Sequence, residues 1–278
     1  MQFWASVLKI LDYQAVAPAT LGIYHICCVL LMVVCTVCLC RVAKYHSPDR
    51  VRRVVLTTAL VVIGLEIYKQ INYTFSYDDG ITASYHWYAF PWQFCSTPMY
   101  VGLLAGLTRK GRIHDALCAY LSTFAVFAGL AVMLYPGDVF TETVGINIQT
   151  VICHGSMVVI GGYLLASGHV KLESKTVLKA MPVFAVTIGI AVLLNEVAYR
   201  TGLLENHSFN MFYISPYLPG HLPVYSLVQD VVPYPASLLI YILGFSAAAW
   251  LMLLIPMAVK HLVHVIAGSR RPSVSRMQ

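Results

Sequence analysis

Charge is what this chain has least of. Asp, Glu, Lys and Arg make up 11% of its 278 residues, where a water-soluble domain carries about 25%. Beside 59% hydrophobic residues, that scarcity excludes an ordinary soluble fold and intrinsic disorder alike. No glycine-rich loop is present to cradle a phosphate, so nothing points to a nucleotide site. No basic stretch precedes an apolar core in residues 1–20, where Asp12 interrupts the sequence. That segment reads as a short interfacial helix rather than a cleaved signal peptide. An inverted repeat of the kind found in many transporters is also missing.

What is there is long apolar runs. Seven stretches reach the roughly 20 residues that a membrane-crossing helix needs: Leu21–Val42, Val54–Phe75, His86–Leu107, His114–Tyr135, Ile146–Gly168, Val177–Tyr199 and Tyr234–Met257. Lysine and arginine are retained in cytoplasmic loops, and here they alternate strictly. Arg41, Lys44, Arg50, Arg52 and Arg53 follow the first stretch, Arg109, Lys110 and Arg112 the third, and Lys171, Lys175 and Lys179 the fifth. Lys260, Arg270, Arg271 and Arg276 fall in the tail, while the alternate loops carry Asp78, Asp79, Asp138 and Glu142, with a lone Arg200. The expected architecture is therefore one all-α domain over residues 1–278, a polytopic bundle of seven transmembrane helices with its amino terminus outside and its carboxyl terminus inside. The net charge of +6 then belongs to loops facing anionic headgroups, and no nucleic-acid partner is called for. The connection over residues 200–233 lies outside. Its aromatics and prolines (Phe209, Phe212, Tyr213, Pro216, Tyr217, Pro219, Pro223 and Tyr225) suit a lid or an interfacial loop. Asn72-Tyr73-Thr74 and Asn206-His207-Ser208 are glycosylation acceptor patterns on that same side.

Ionisable and polar groups at membrane depth are functional candidates. Counting residues from the span ends places His25, Glu66, Lys69, Gln70, Gln93, Cys95, Asn147, Gln149, His154, Asn195 and Glu196 in the outer half. If they face inward, they form one polar cavity. Glu66 and Lys69, three apart on one helix face, also suit a simple ion pair. Cys27, Cys28, Cys118 and Cys153 read as small buried hydrophobes. Cys35, Cys38 and Cys40 have a metal-like spacing without the remaining ligands of a closed site, so no metal and no cofactor are expected. Gly102 and Gly106 form a GxxxG, which marks a close helix contact. Cys95 stands apart, because Pro91 and Pro98 interrupt the helix around it, and distorted backbone at depth is tolerable only beside a protein-lined cavity. His154 falls at the same depth on another descending helix. A histidine that takes the thiol proton makes a cysteine an effective nucleophile, and Glu66 or Glu196 are candidates to orient that histidine.

Several segments resemble the YwaF family of polytopic bacterial membrane proteins, related to the vertebrate lipid acyltransferase called transmembrane protein one-six-four. These are Glu66-Ile67-Tyr68, Phe90-Pro91-Trp92-Gln93-Phe94-Cys95, Cys153-His154-Gly155-Ser156-Met157 with Gly162-Tyr163-Leu164-Leu165, Asn195, Phe209-Asn210-Met211-Phe212-Tyr213 and Pro233-Tyr234-Pro235. The family carries a histidine where this chain has Gln93. The resemblance implies a bacterial plasma-membrane location and an acyl-thioester route. In that route Cys95 takes a fatty acyl chain from a phospholipid and passes it to a lysophospholipid, with His154 as base and then acid. Asn210 or Gln93 would hydrogen-bond the oxyanion, and Glu66 and Asn195 would complete the polar surroundings. Two other function classes compete. A transporter needs a cavity that opens to both sides, and the inner halves look dry. A receptor with an outward-facing ligand cavity fits the same spans, although a retinal protein does not, since the last span has no lysine.

Overall fold

The computed structural model describes residues 2–77, 81–202, 209–219, 222, 225–229 and 231–269. Asp78 and Asp79, the 206–208 acceptor triplet, Pro223 and the tail arginines Arg270, Arg271 and Arg276 lie outside the described residues. So does the side chain of Asp138. The chain is all-α apart from one short hairpin. Its helices are α1 (Gln2–Leu11), α2 (Ile23–Ala43), α3 (Pro48–Asn72), α4 (Thr97–Leu107), α5 (Arg112–Leu121), α6 (Phe124–Leu134), α7 (Val144–Ala166), α8 (Lys175–Arg200), α9 (Tyr225–Gln229) and α10 (Tyr234–Ser269). The hairpin pairs β1 (Phe75–Ser76) with β2 (Thr82–Ala83) in antiparallel register. Six of these helical segments are long and apolar enough to cross a membrane: α2, α3, α5 with α6, α7, α8 and α10.

The helix starts follow local chemistry. Ser47 caps α3 by accepting a hydrogen bond from the Arg50 amide at 3.4 Å, with Pro48 in the first turn where its missing N–H is not needed. Between α5 and α6 the ladder breaks at Ser122 and Thr123. Their hydroxyls donate to the carbonyls of Cys118 (2.9 Å) and Ala119 (2.7 Å), which keeps backbone oxygens satisfied away from water. α1 docks through its C-terminal end. Tyr68 donates to the Leu11 carbonyl at 2.6 Å, and Ala15 and Val144 exchange backbone bonds with Glu142 and Tyr13. Phe3 and Trp4 remain exposed on α1, as an interfacial helix requires.

The third expected span is corrected. His86–Leu107 is not one helix: beyond a single 3-10 turn at Trp87–Ala89 only Thr97–Leu107 is helical, and those eleven residues reach about 16 Å, half of a hydrocarbon core of about 30 Å. Pro91 has no amide to donate and Pro98 sits in the first turn of α4, so the segment between them runs as turns. These turns close on the Gln93 carbonyl, which accepts from the Ser96 (2.8 Å) and Thr97 (3.2 Å) amides. α4 packs against α3 along its small-residue stripe. A Cβ on Gly106 would stand 2.8 Å from the Leu56 backbone, so the GxxxG is a close helix contact as expected. α7 packs on α2 and α6, and α5 on α8. In the core the rings of Phe94, Phe124, Phe184, Tyr241 and Phe245 cluster, with Phe124 stacked on Phe184 (centroids 4.3 Å apart), Tyr241 stacked on Phe245, and Phe94 edge-on to Phe245.

Candidate active site

The polar residues of the expected layer fall into separate arrangements. Glu66 on α3 is buried and saturated. Its Oε1 accepts from Lys69 Nζ (2.8 Å) and Gln70 Nε2 (2.7 Å), and its Oε2 accepts from Gln149 Nε2 on α7 (3.2 Å). Gln70 extends this network by donating to the Ala89 carbonyl (2.8 Å) and accepting from the Tyr85 hydroxyl (2.5 Å). Burial, then the Glu66 carboxylate, push the Tyr85 phenol up to about 12, so it stays a donor at neutral pH. The network fastens the unwound segment to α3, and the ion pair between Glu66 and Lys69 is real.

A second arrangement clamps the turn after residue 208. Gln93 donates to the Asn210 carbonyl (3.0 Å) and accepts from the Phe212 amide (2.9 Å). Asn195 does the same to both backbone groups of Met211, at 3.0 and 2.8 Å. The turn needs holding, because Phe212 and Tyr213 have φ of +57° and +55°, a left-handed conformation that bulky residues adopt only when the surroundings impose it. Tyr241 adds a hydroxyl bond to the Phe212 carbonyl at 3.2 Å. Burial, and after it the charge of the Cys95 thiolate, raise the Tyr213 phenol above its ordinary value. Gln93 and Asn195 are thus backbone clamps with both amide groups engaged. Asn210 differs. Its Oδ1 accepts from the Ser215 amide (2.9 Å), while its Nδ2 is buried with no partner among the described residues.

His154 carries a second such orphan; Gln229 Oε1 and Tyr234 OH are the remaining two among the described residues. Its Nδ1 lies 2.7 Å from the Thr150 carbonyl, which can only accept, so Nδ1 carries the proton and Nε2 presents a lone pair. That Nε2 has no partner among the described residues. Cys95 Sγ and His154 are therefore not hydrogen-bonded to each other. The two segments meet one residue over, where Cys153 Sγ donates to the Cys95 carbonyl at 3.9 Å. Neither carboxylate named from sequence orients the ring: Glu66 is fully engaged elsewhere, and the Thr150 carbonyl does the orienting. Glu196 is corrected outright. It lies on the exposed side of α8 and accepts from Arg200 (2.7 Å) and Tyr217 (2.6 Å). His25 caps the end of α6 through the Met133 carbonyl (2.8 Å), and Asn147 closes a local turn on Thr141. Counting along the chain assigned each group a depth, but not the direction its side chain faces around its helix.

All eight cysteines are free. Among the described residues no group of metal-ligating side chains gathers around Cys95; the one such group, His114, Cys118 and His169, sits at the far end of α4. An apolar groove of about 380 Å³ runs between Phe127, Leu222, Tyr225, Ile240, Tyr241 and Phe245, and Phe245 meets the Phe94 ring next to Cys95 at 5.2 Å. Comparison with known proteins gives one match: the sequence model of the TMEM164 family aligns with residues 19–257. No curated protein and no solved structure matches the chain. The matched stretch takes in every site residue named above, and it agrees with the relation to transmembrane protein one-six-four drawn from the motifs.

Proposed function

This chain belongs to the TMEM164 family, and on that premise we propose that it is an integral-membrane lipid acyltransferase with Cys95 as nucleophile and His154 as base. His154 Nε2 takes the Cys95 thiol proton, and the thiolate attacks the ester carbonyl of a phospholipid. The tetrahedral oxyanion collapses, the acyl–oxygen bond breaks, and the departing lysophospholipid oxygen takes the proton from His154. A lysophospholipid hydroxyl, deprotonated by the same ring, then attacks the thioester carbonyl and releases the Cys95 thiolate, which recovers the proton. Asn210 Nδ2 is the donor for the oxyanion; Gln93 is spent on the backbone. The groove along Tyr241 and Phe245 takes the acyl chain.

The observation that carries this reading is the buried, unpartnered lone pair of His154 Nε2. Burying such a group with nothing bonded to it costs about 1–3 kcal/mol, a cost that makes sense where a substrate-bound state supplies the partner. Resting sites commonly hold nucleophile and base apart until the substrate closes them. Incubation of the purified protein with acyl-labelled phosphatidylcholine and an unlabelled lysophospholipid tests it. Transfer should fall by at least about a hundredfold in Cys95→Ala and His154→Gln, with an unchanged elution profile. Transfer at the wild-type rate in Cys95→Ala would end the proposal.

A further inference from the structure

At the opposite end of α4 from Cys95, three side chains that the acyl-transfer reading does not use converge. His114, in the first turn of α5, is buried, and its Nδ1 lies 3.0 Å from the Ala105 carbonyl. The carbonyl can only accept, so the Nδ1 proton is fixed and the Nε2 lone pair points the other way. One turn along α5, the buried Cys118 sets its Sγ 3.5 Å from that Nε2. From the connection between α7 and α8, the half-exposed His169 brings its own Nε2 to 2.6 Å from His114 Nε2. The three ligand atoms lie within 4.8 Å of one another.

We propose that His114, Cys118 and His169 bind a zinc ion, with a solvent oxygen as fourth ligand, and that the ion braces the α4–α5 corner to the α7–α8 connection. Two imidazole nitrogens and a thiolate are the donor set that a borderline-soft ion of this class prefers, and three protein ligands with one open position is an established zinc arrangement. The Ala105 carbonyl plays the part that an outer hydrogen-bond acceptor plays at such sites, holding the tautomer and the ring plane. Metal–nitrogen bonds of about 2.0–2.1 Å and a metal–sulfur bond of about 2.3 Å need the two nitrogens about 3.3 Å apart in a tetrahedron. The present separation is smaller, that of a hydrogen bond in which His169 Nε2–H donates to His114 Nε2. On binding, that proton relocates to His169 Nδ1 and the Cys118 thiol proton is released, one proton for each ion. His169 follows Gly168, whose φ is +71°, on a connection between helices, where a shift of about 0.7 Å brings the nitrogens to the tetrahedral spacing. Asp115 is a charged neighbour of Cys118 and His169, and Lys110 of His169, so the surrounding charge is mixed rather than uniformly cationic.

The pattern was hard to read from sequence. Cys118 looked like a small hydrophobe, His114 like the start of a span, and His169 is distant in the chain. The test uses the full chain purified in detergent, stripped with a chelator, and loaded with zinc or with cobalt as the spectroscopic probe. The expected result is one zinc per chain after desalting and a thiolate-to-cobalt charge-transfer band. The band should vanish in Cys118→Ser. Zinc affinity should fall at least about tenfold in His169→Gln, whose position outside the core keeps folding out of the question. Added zinc should raise the thermal midpoint of the wild type and not that of His169→Gln. Cys95→Ala should retain the metal in full. A charge-transfer band that persists in Cys118→Ser, or equal zinc retention by the wild type and His169→Gln, would leave only a hydrogen-bonded histidine pair and overturn the proposal.

Discussion

At the scale of single residues, the molecule separates polar groups that hold structure from polar groups held in reserve. Glu66 is of the first kind, with three donors on two carboxylate oxygens. Lys69→Met should strand that buried charge and lower stability by about 3–5 kcal/mol, whereas the double variant Lys69→Met, Glu66→Gln should recover much of the loss. Thermal unfolding in detergent measures both. His154 Nε2 and Asn210 Nδ2 are of the second kind, and their removal should behave in the opposite way. Asn210→Ala removes the idle donor together with the acceptor of the Ser215 amide, so acyl transfer should fall steeply while stability drops only by the roughly 1–3 kcal/mol of one lost hydrogen bond. A midpoint that collapses with activity would assign Asn210 to structure. Much of this division was invisible in the sequence. Chain order groups Gln93 and Asn195 only by an estimated depth, and folding alone reveals that both spend their amides on the backbone of residues 210–212.

At the scale of elements, proline and glycine explain what hydropathy cannot. A sliding apolar average sees one span over His86–Leu107, since Phe90, Trp92 and Phe94 count the same in a turn as in a helix. Backbone donors decide otherwise, and the segment from Phe90 to Ser96 is held by side chains instead: Gln70 on the Ala89 carbonyl, Gln93 on the turn opposite, and Trp92 Nε1 on the Thr187 carbonyl at 3.2 Å. Gln93→Ala should release the left-handed pair Phe212 and Tyr213, at a cost of about 1–3 kcal/mol. It should also raise proteolytic sensitivity in the 209–219 region. Unchanged cleavage kinetics would show that Asn195 and Tyr241 hold the turn alone. A close helix contact on α4 was legible beforehand from its GxxxG, but that α3 is the partner was not. Gly106→Val pushes two methyl groups against Leu56 and should destabilise by about 1–3 kcal/mol.

At the scale of the whole molecule, the chain is a multi-pass membrane protein of the TMEM164 family, with, among the described residues, six full-length apolar helices and one half-length helix that places an unwound, cysteine-bearing segment beside α7. The charge alternation read from the sequence assigns the Arg109–Arg112 and Lys171–Lys179 connections to one face and the Phe75–Ala83 hairpin to the other. Cysteines introduced at Lys110 and Ser84 in a Cys-depleted background should therefore label from opposite sides of sealed vesicles; labelling from one side would require a different topology. The account turns, however, on what the unwound segment carries. The most direct measurement is capture of the covalent intermediate: purified protein is mixed with acyl-labelled phospholipid, quenched in acid, and digested for mass spectrometry. A thioester on Cys95, sensitive to hydroxylamine, absent in Cys95→Ala and slow to discharge to lysophospholipid in His154→Gln, is the predicted result. Acyl transfer with no acylated Cys95 at any time after mixing, or transfer undiminished in Cys95→Ala, would contradict it.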